Sequence, residues 1–466
     1  MFYGEMLMNK RTALAPLCLL LFTSCIDTKI APFRTISNKS KKFNNQTPFP
    51  TQANRIDTIA GNDTEKQRKI VDQARDVRPI LYTPVMNLIR KFLAFKKEYG
   101  TSIEQKLYAS MNESAFIDRL LIKRPLMFMT EADTYLLRSG KKGQGGFEKI
   151  GTAQERSPLI LEEYLSYDEM QIAALLGVSV PTFFINNGNR NNSAIPGMPR
   201  TFEQEGVYVG LVGARFEKSG LMEWQHMIVT PIQNRSSNGY GPDADPANSQ
   251  RKFLSLWEEL YDNKFVTFEQ AQADTSGRYI LLSSQEYLDS VMYKKRMKMV
   301  IEPFLVDAHE RGKKVGKKVY CHVVGLGLGV WQKTTMQAKL MLEVYADIIK
   351  KRDLSYIADL DFSWFPSSYQ TCGNAGNGEL FKTEHNAITV HFSKRNPADK
   401  LDGNDAGKLL VAMYAWDGNA YPGNEYWAGY LTASGDPAAA CCSTIPELQN
   451  PLINKNVSAR HLFMVE

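Results

Sequence analysis

The chain has 466 residues, of which 43% are hydrophobic and 23% are charged, and its formal net charge is +6 at pH 7. This composition excludes fibrous and largely disordered proteins, and the length suggests two or three structural units. Much of the positive excess lies in the first hundred residues and in short clusters such as Lys294–Arg296. Such clusters are typical of solvated helix faces, so we expect no nucleic-acid partner.

Residues 1–25 have the pattern of an export signal. Lys10 and Arg11 precede an apolar run over 13–22 that is too short for a stable membrane anchor. The sequence Leu-Phe-Thr-Ser-Cys ending at Cys25 also resembles a bacterial lipobox, although Phe22 stands where leucine is usual. We therefore expect export from a bacterium. The product would be either a lipoprotein, which contacts a membrane through lipidation at Cys25, or an effector delivered to a host cell.

The rest of the chain divides into three regions. Residues 26–70 are polar and rich in Asn, Thr, Lys and Gln, which predicts a flexible tether. Residues 71–175 carry the apolar spacing of amphipathic helices. In residues 176–466, strand-like apolar runs alternate with helical patterns. We expect an α/β fold in which a sheet is flanked by helices, after an N-terminal helical region.

The cysteines beyond residue 25 are too few and too poorly spaced for a disulfide scaffold or a zinc site. They are Cys321, Cys372, Cys441 and Cys442, and none forms a Cys-x-x-Cys pair. We predict no metal and no cofactor.

Loops after predicted strands carry the candidate binding residues, because ligands in α/β sheets bind at the carboxyl ends of strands. Asn187 follows a strand that ends at Ile185, and an Asn-rich loop is suited to hydrogen bonds with ribose hydroxyls. The glycine-containing loop over 210–225 can wrap a ligand; it includes Arg215, and Glu223 lies where the loop becomes a strand. A polar turn and a solvent-exposed glutamate are the alternative interpretations.

The most distinctive motif is Val319–Trp331, in which an apolar strand leads into Gly325, Gly327 and Gly329. Glycines let backbone N–H groups approach a diphosphate closely, and a helix that begins at Gln332 would add unpaired donors. The alternative is a strand-to-helix turn whose glycines serve packing only.

A fourth loop, Trp416–Trp427, follows another apolar strand and contains two acids, two amides and four aromatic rings. The rings can exclude water, so that Asp417 and Glu425 would work at reduced dielectric beside Asn419 and Asn424. A simple turn explains the glycines and the proline of this loop but not the whole set.

In this order the loops resemble those of two families. The loop that ends in Met222-Glu223-Trp224-Gln225 resembles the signature loop of poly(ADP-ribose) glycohydrolases, whose usual pair of acids is reduced here to Glu223. The segments 416–427 and 434–438 are more similar to the divergent macrodomain ADP-ribosylhydrolases of the type of the Legionella effector MavL. The likeness covers roughly residues 155 to 450.

This resemblance implies a macrodomain-like mixed sheet within residues 176–466 and removal of mono-ADP-ribose from arginine side chains of a protein, with ubiquitin as a candidate partner. It also implies that the glycines hold the diphosphate and that Phe362 or Trp364 stacks on the adenine. Asp361 either binds the adenine amine or only closes a strand. The missing second acid favours a single ADP-ribose unit as the substrate moiety or product.

The implied reaction is hydrolysis of the bond between ribose C1″ and a guanidine nitrogen, through a transition state with oxocarbenium character. Its candidate catalytic residues are Glu223, Asp417 and Glu425, among which the sequence assigns no roles. The candidate ligand-binding residues are Asn187, Arg215, Gly325, Gly327, Gly329, Trp331, Asp361, Phe362, Asn419 and Asn424. The alternatives are a non-catalytic reader of ADP-ribose and a surface lipoprotein with an adhesive role.

Overall fold

The structure is a computed structural model that describes the backbone of residues 1 and 15–466 and the side chains of residues 1 and 31–466. The predicted signal segment, including the Cys25 side chain, lies outside the described side chains, so export and lipidation stay predictions. Within the described part, no helix combines the length and the apolar character needed to cross a bilayer.

The described residues form fourteen α-helices and seventeen strands. The helices are α1 (Ala15–Gln46), α2 (Ile56–Ala60), α3 (Thr64–Arg75), α4 (Thr83–Tyr99), α5 (Ser102–Tyr108), α6 (Glu113–Ile122), α7 (Tyr167–Ala173), α8 (Trp224–Met227), α9 (Ser249–Leu260), α10 (Phe268–Gln272), α11 (Ser290–Val315), α12 (Met336–Lys351), α13 (Gly435–Cys442) and α14 (Ile445–Leu448). The strands are β1 (Arg78–Tyr82), β2 (Met127–Met129), β3 (Thr134–Leu136), β4 (Lys142–Gln144), β5 (Gly177–Phe183), β6 (Glu205–Leu211), β7 (Ile228–Val229), β8 (Tyr279–Ser283), β9 (Glu286–Asp289), β10 (Val319–Val323), β11 (Ile357–Ser363), β12 (Thr371–Cys372), β13 (Ala375–Gly376), β14 (Leu380–Lys382), β15 (Ala387–Ser393), β16 (Leu409–Ala415) and β17 (Phe463–Val465).

Nine of the strands form a central mixed sheet in the order β14-β15-β11-β10-β16-β6-β5-β1-β17. The five strands from β15 to β6 are parallel to one another. Strand β14 is antiparallel at one edge, and on the other side β5 runs antiparallel to both β6 and β1. The α/β prediction is confirmed, and the parallel strands bring five chain segments to one edge of the sheet.

Helix α11 covers part of the sheet, contacting β1, β5, β10 and β11 and packing against α12. Its start is capped by Asp289, whose side chain accepts hydrogen bonds from the N–H groups of Val291 and Met292 at 3.1 Å each. It ends at Gly316 in the left-handed conformation, a common helix stop. Every residue of β10 is buried, as expected of a strand covered on both faces.

The prediction of a flexible tether is wrong for residues 31–70. Helices α1, α2 and α3 occupy most of this stretch, and Phe43, Phe49 and Ile56 are buried in the same hydrophobic cluster as the rest of the chain. The apolar residues are widely spaced in a polar sequence, so their common burial depends on tertiary contacts that composition does not reveal.

The predicted helical region, residues 71–175, contains helices α4 to α7 but is not purely helical. Its strand β1 lies between β5 and β17 in the central sheet, and β2, β3 and β4 form a small antiparallel sheet. One hydrophobic cluster joins this region to the strands that follow. The two regions that the sequence separates therefore share a sheet and a core.

Candidate active site

Three loops meet at the carboxyl edge of the parallel strands. They follow β6, β10 and β16, which are neighbours in the sheet. The backbone N–H of Trp416 donates to the carbonyl of Leu211 at 2.9 Å, so the β6–β16 pairing extends into the loops. Three of the four loops predicted to form the site are thus brought side by side.

The loop after β6 packs directly on the glycine loop after β10. A Cβ atom at Gly213 would lie 2.5 Å from the backbone nitrogen of Gly327. Gly327 itself has φ +70°, and a Cβ there would lie 3.1 Å from the carbonyl oxygen of Ala214. Both positions therefore require glycine for close approach of two backbones.

The glycine loop is longer than predicted, because α12 begins at Met336 and not at Gln332. The side-chain oxygen of Gln337 accepts from the N–H groups of Lys333 and Thr334 at 2.6 and 3.1 Å, which ties down the intervening turn. Among the described residues, none accepts a hydrogen bond from the backbone N–H of Gly325, Gly327 or Gly329. These donors are therefore unpaired within the described part of the chain.

Asp417 and Glu425 from the fourth loop are brought together with Asp436, which lies in the first turn of α13. Asn424 donates from its side chain to Asp417, and the Ser434 hydroxyl donates to Glu425 at 3.1 Å. The carboxylate of Asp436, which is 1% exposed, accepts from the N–H of Gly423 at 2.6 Å.

The three carboxyl groups have raised pKa values. The pKa of Asp417 is raised to about 8, first because the group is desolvated and then because Glu425 and Glu217 lie nearby, while Arg215 opposes the shift. Burial likewise raises the pKa of Glu425, and Glu217 adds to the rise. Burial raises the pKa of Asp436 well above its usual range, with contributions from Glu425 and Asp417. Such perturbed acids in one place are typical of an active site.

Arg215, predicted to bind ligand, is the buried cation of the site. Its guanidinium lies 5.2 Å from the ring centre of Phe128 and 5.3 Å from that of Trp331, and it donates to Glu217 at 2.6 Å. The arginine is 4% exposed, and its Nε and Nη1 atoms have no hydrogen-bond partner among the described residues. Two charged donors of Arg215 are thus without partners beside the glycine loop, and the guanidinium packs against the ring of Trp331.

Asn424 positions Asp417 rather than facing a ligand. Its side chain accepts from the N–H of Phe128 at 2.8 Å and donates to the carbonyl of the same residue at 3.2 Å, in addition to its bond to Asp417. The hairpin that contains β2 therefore supports the loop after β16. Asn419 is also buried, but its side-chain nitrogen has no partner among the described residues, so it stays available for a ligand.

Glu223 is held by contacts with α11 and with its own loop. Its carboxylate forms a buried ion pair with Arg296 and accepts from the backbone N–H of Arg215 at 3.1 Å. Arg296 also donates to the carbonyls of Val212 and Gly213 at 3.2 and 3.3 Å. Glu223 therefore fixes the loop after β6, and its oxygens are already used.

Phe362 and Asp361 lie inside the protein. Phe362 is fully buried among Tyr345, Phe365 and Phe392, so it is a core residue and does not stack on adenine. Asp361 is also fully buried and accepts from the hydroxyls of Tyr320 and Ser393 at 3.2 and 3.0 Å. Both hydroxyls bond to Oδ2, and Oδ1 is buried without a hydrogen-bond partner among the described residues, so both interpretations of Asp361 stay open.

Trp364, the other residue predicted to stack on adenine, lies directly after β11 at the carboxyl edge of the sheet. It is 64% exposed, has φ +62°, and its backbone N–H donates to Ser393 at 2.9 Å. An exposed ring held in a strained backbone conformation is available for stacking.

Asn187 follows β5, whose end lies at the opposite edge from the carboxyl ends of the parallel strands, because β5 is antiparallel to β6. Its side chain donates to Asp399 at 2.8 Å, and its carbonyl accepts from the N–H of Ala398 at 2.9 Å. These contacts join the loop after β5 to the segment that contains Ala398 and Asp399. A cavity of about 990 Å³ at this edge is lined by residues that include Glu205, Arg311 and Lys408, and it contains none of the predicted site residues.

Two residues of the carboxylate cluster were not predicted from the sequence, namely Glu217 and Asp436. Glu217 lies in the recognised loop over 210–225, two residues after Arg215, and Asp436 lies within the segment 434–438 that carries the resemblance. The sequence shows an acidic residue at each of these positions. It does not show that Glu217 or Asp436 lies near Asp417 in the fold.

The geometry defines a site in which glycine-loop amides and a buried arginine adjoin a cluster of carboxyl groups. This combination suits an anionic ligand whose reacting bond lies next to acids. The chain belongs to the MavL-like ADP-ribosylhydrolase family, whose model, described as ADP-ribosylhydrolase MavL-like, matches residues 34–466.

Two relatives from Drosophila melanogaster are similar over most of their length. The chain is 36% identical over 395 residues to ADP-ribosylarginine hydrolase CG2909, covering 83% of this chain and 78% of the relative. It is 37% identical over 425 residues to ADP-ribosylarginine hydrolase CG3568, covering 88% of this chain and 82% of the relative.

Proposed function

We infer that this protein is an ADP-ribosylarginine hydrolase, which releases ADP-ribose from modified arginine side chains of a protein. The observation that carries this conclusion is the meeting of Asp417 and Glu425 beside the glycine loop, in a chain whose relatives are named for that activity. ADP-ribose is then the substrate moiety and the product.

The diphosphate of ADP-ribose is held by backbone N–H groups of Gly325, Gly327 and Gly329 and by Arg215. The amides have no acceptor among the described residues, and the arginine has two buried donors without partners. Charge-assisted hydrogen bonds of this kind are stronger than neutral ones. With the diphosphate in this position, we assign Trp364, at the end of β11, as the residue that stacks on the adenine. This arrangement is macrodomain-like.

Asp417 and Glu425 divide the proton transfers of hydrolysis. Asp417 keeps its proton near neutral pH, because its pKa is raised to about 8, and gives it to the guanidine nitrogen as the C1″–N bond breaks. The electron pair of that bond goes to nitrogen, so the arginine leaves as a guanidinium. Glu425 takes a proton from the water that forms the new C1″–O bond, and this proton then returns to Asp417.

The test compares wild-type protein with Asp417→Asn and Glu425→Gln on an arginine-ADP-ribosylated protein, with release of free ADP-ribose as the readout. Loss of a general acid or base lowers the rate by about 10² to 10⁴-fold. Glu203→Gln, at the opposite end of β6, is the matched control and should keep wild-type turnover. Calorimetry with free ADP-ribose should show that both site variants still bind.

Ubiquitin that carries ADP-ribose on arginine is the first protein substrate to test, because the sequence resembles a family associated with ubiquitin. A wild-type protein that binds ADP-ribose but releases none from any arginine-modified protein would instead be a reader. Absence of both binding and release would favour the adhesive alternative.

A further inference from the structure

The carboxyl groups of the candidate active site outnumber the cations that contact them. Among the described residues, the single ion pair made by Glu217, Asp417, Glu425 and Asp436 is the one from Arg215 to Glu217, at 2.6 Å. Burying like charges together is costly unless they are neutralised or paired. Protonation of Asp417 relieves part of this imbalance, and a ligand that brings a positive charge would relieve the rest.

Two carboxyl oxygens of this cluster lack hydrogen-bond partners. The Oε2 atom of Glu425 and the Oδ2 atom of Asp436 are buried and have no hydrogen-bond partner among the described residues. Asp436 is 1% exposed, so solvent does not satisfy it. Buried acceptors without partners are uncommon in folded proteins, and they indicate that a ligand with several N–H donors completes the site.

Glu217 is the member of the cluster best placed to bind such a ligand. Its side chain is 18% exposed, and Arg215 bonds to only one of its oxygens, Oε2. Arg215 is itself held between the rings of Phe128 and Trp331, so the carboxylate is fixed while its second oxygen stays free. Contacts connect Glu217 to Asp417, because Arg215 lies over the ring of Phe128, whose N–H donates to Asn424, and Asn424 donates to Asp417.

We propose that Glu217 binds the guanidinium of the ADP-ribosylated arginine and is the residue that gives this site its specificity for a cationic leaving group. The inference rests on the proposed function and assigns a role that the hydrolysis scheme leaves open. A carboxylate is the natural partner of a planar guanidinium. After the C1″–N bond breaks, the arginine still carries its charge, so Glu217 holds the leaving group while water attacks.

The experiment compares kcat/KM on an arginine-ADP-ribosylated protein for the wild type, Glu217→Gln, Glu217→Asp and the control Glu203→Gln. Glu203 has the same side-chain exposure, 18%, and pairs with one lysine, Lys400, at 2.7 Å. Glu217→Gln should lower kcat/KM at least tenfold, and Glu217→Asp should restore part of it. Glu203→Gln should stay within twofold of wild type. All four proteins should bind free ADP-ribose with affinities within threefold and melt at similar temperatures.

A second measurement isolates the guanidinium itself. Agmatine is titrated calorimetrically into each protein saturated with ADP-ribose, and Glu217→Gln should bind it at least tenfold more weakly than the wild type. The proposal is overturned if Glu217→Gln matches Glu203→Gln in both measurements, or if its loss of turnover equals a loss of ADP-ribose affinity. If the wild type releases no ADP-ribose, the proposed function fails, and the agmatine titration alone then decides whether Glu217 is a guanidinium site.

Discussion

The carboxyl group of Asp417 is held protonated near neutral pH because it is desolvated and Glu425 and Glu217 lie nearby. Its raised pKa means that the proton is present below about pH 8 and is lost as the pH rises through that value. We therefore expect kcat/KM to fall above about pH 8, and to fall again on the acid side as Glu425 becomes protonated. Asp417→Asn should show no alkaline decline in its residual rate. A pH–rate profile of both proteins checks this, and an unchanged alkaline limb in the variant would assign the proton to another group.

Glu223 pairs with a buried arginine and accepts a hydrogen bond from its own loop. Its partner Arg296 is fully buried, so Glu223→Gln leaves a buried charge without its counter-ion. Breaking such a pair costs about 3 to 5 kcal/mol. We expect urea denaturation to show a loss of this size for Glu223→Gln and almost none for Glu425→Gln. Equal stability of Glu223→Gln and wild type, combined with lost turnover, would return Glu223 to the catalytic residues.

At the scale of elements, the site depends on the close contact between the loops after β6 and β10. Gly213→Ala would place a Cβ 2.5 Å from the backbone of Gly327, whereas a Cβ at Gly329 would meet no atom within 4 Å. Overpacking of this kind costs about 1 to 3 kcal/mol. We expect Gly213→Ala to lower both the melting temperature and the affinity for ADP-ribose.

Gly329→Ala is the matched comparison for that prediction. It should leave the melting temperature unchanged and weaken ADP-ribose binding only through contact with the ligand. If Gly213→Ala behaves like wild type in both measurements, the two loops do not depend on each other.

The sequence was sufficient to predict where these loops lie, because each follows a recognisable apolar strand and carries unusual residues. Gly325, Gly327, Asp417 and Glu425 all lie where the strand pattern placed them. The roles of Glu217 and Glu223 depend on which strands are neighbours, and the order β10-β16-β6 is set by crossovers that leave no local signal. Local pattern therefore predicts the loops of this site, while sheet topology decides which side chains meet.

Across the whole molecule, the N-terminal helices pack on the segment that carries the acids. Phe43 and Phe49 contact the ring of Trp427 with ring centres 5.4 and 5.3 Å away, and Thr51 bonds to the hydroxyl of Tyr426 at 2.8 Å. These contacts involve the two residues that directly follow Glu425. The stretch predicted as a tether thus supports the loop that carries Asp417 and Glu425.

Phe49→Ala tests this support. Removal of a buried phenylalanine ring costs about 3 to 5 kcal/mol, and the loss should be visible in urea denaturation together with reduced turnover. Tyr99→Ala removes a ring that is 42% exposed on α4, and it should cost less stability than Phe49→Ala and leave turnover unchanged. An unaltered stability and rate for Phe49→Ala would mean that the N-terminal helices are dispensable.

The central claim is that one site at the carboxyl edge of β6, β10 and β16 holds ADP-ribose with its reacting carbon beside the acids. A crystal structure of the Glu425→Gln protein with ADP-ribose tests it most directly. We predict the diphosphate within hydrogen-bond distance of the Gly325–Gly329 amides and of Arg215, and C1″ facing Asp417. ADP-ribose bound instead in the cavity at the opposite edge, beside Glu205 and Lys408, would contradict the account.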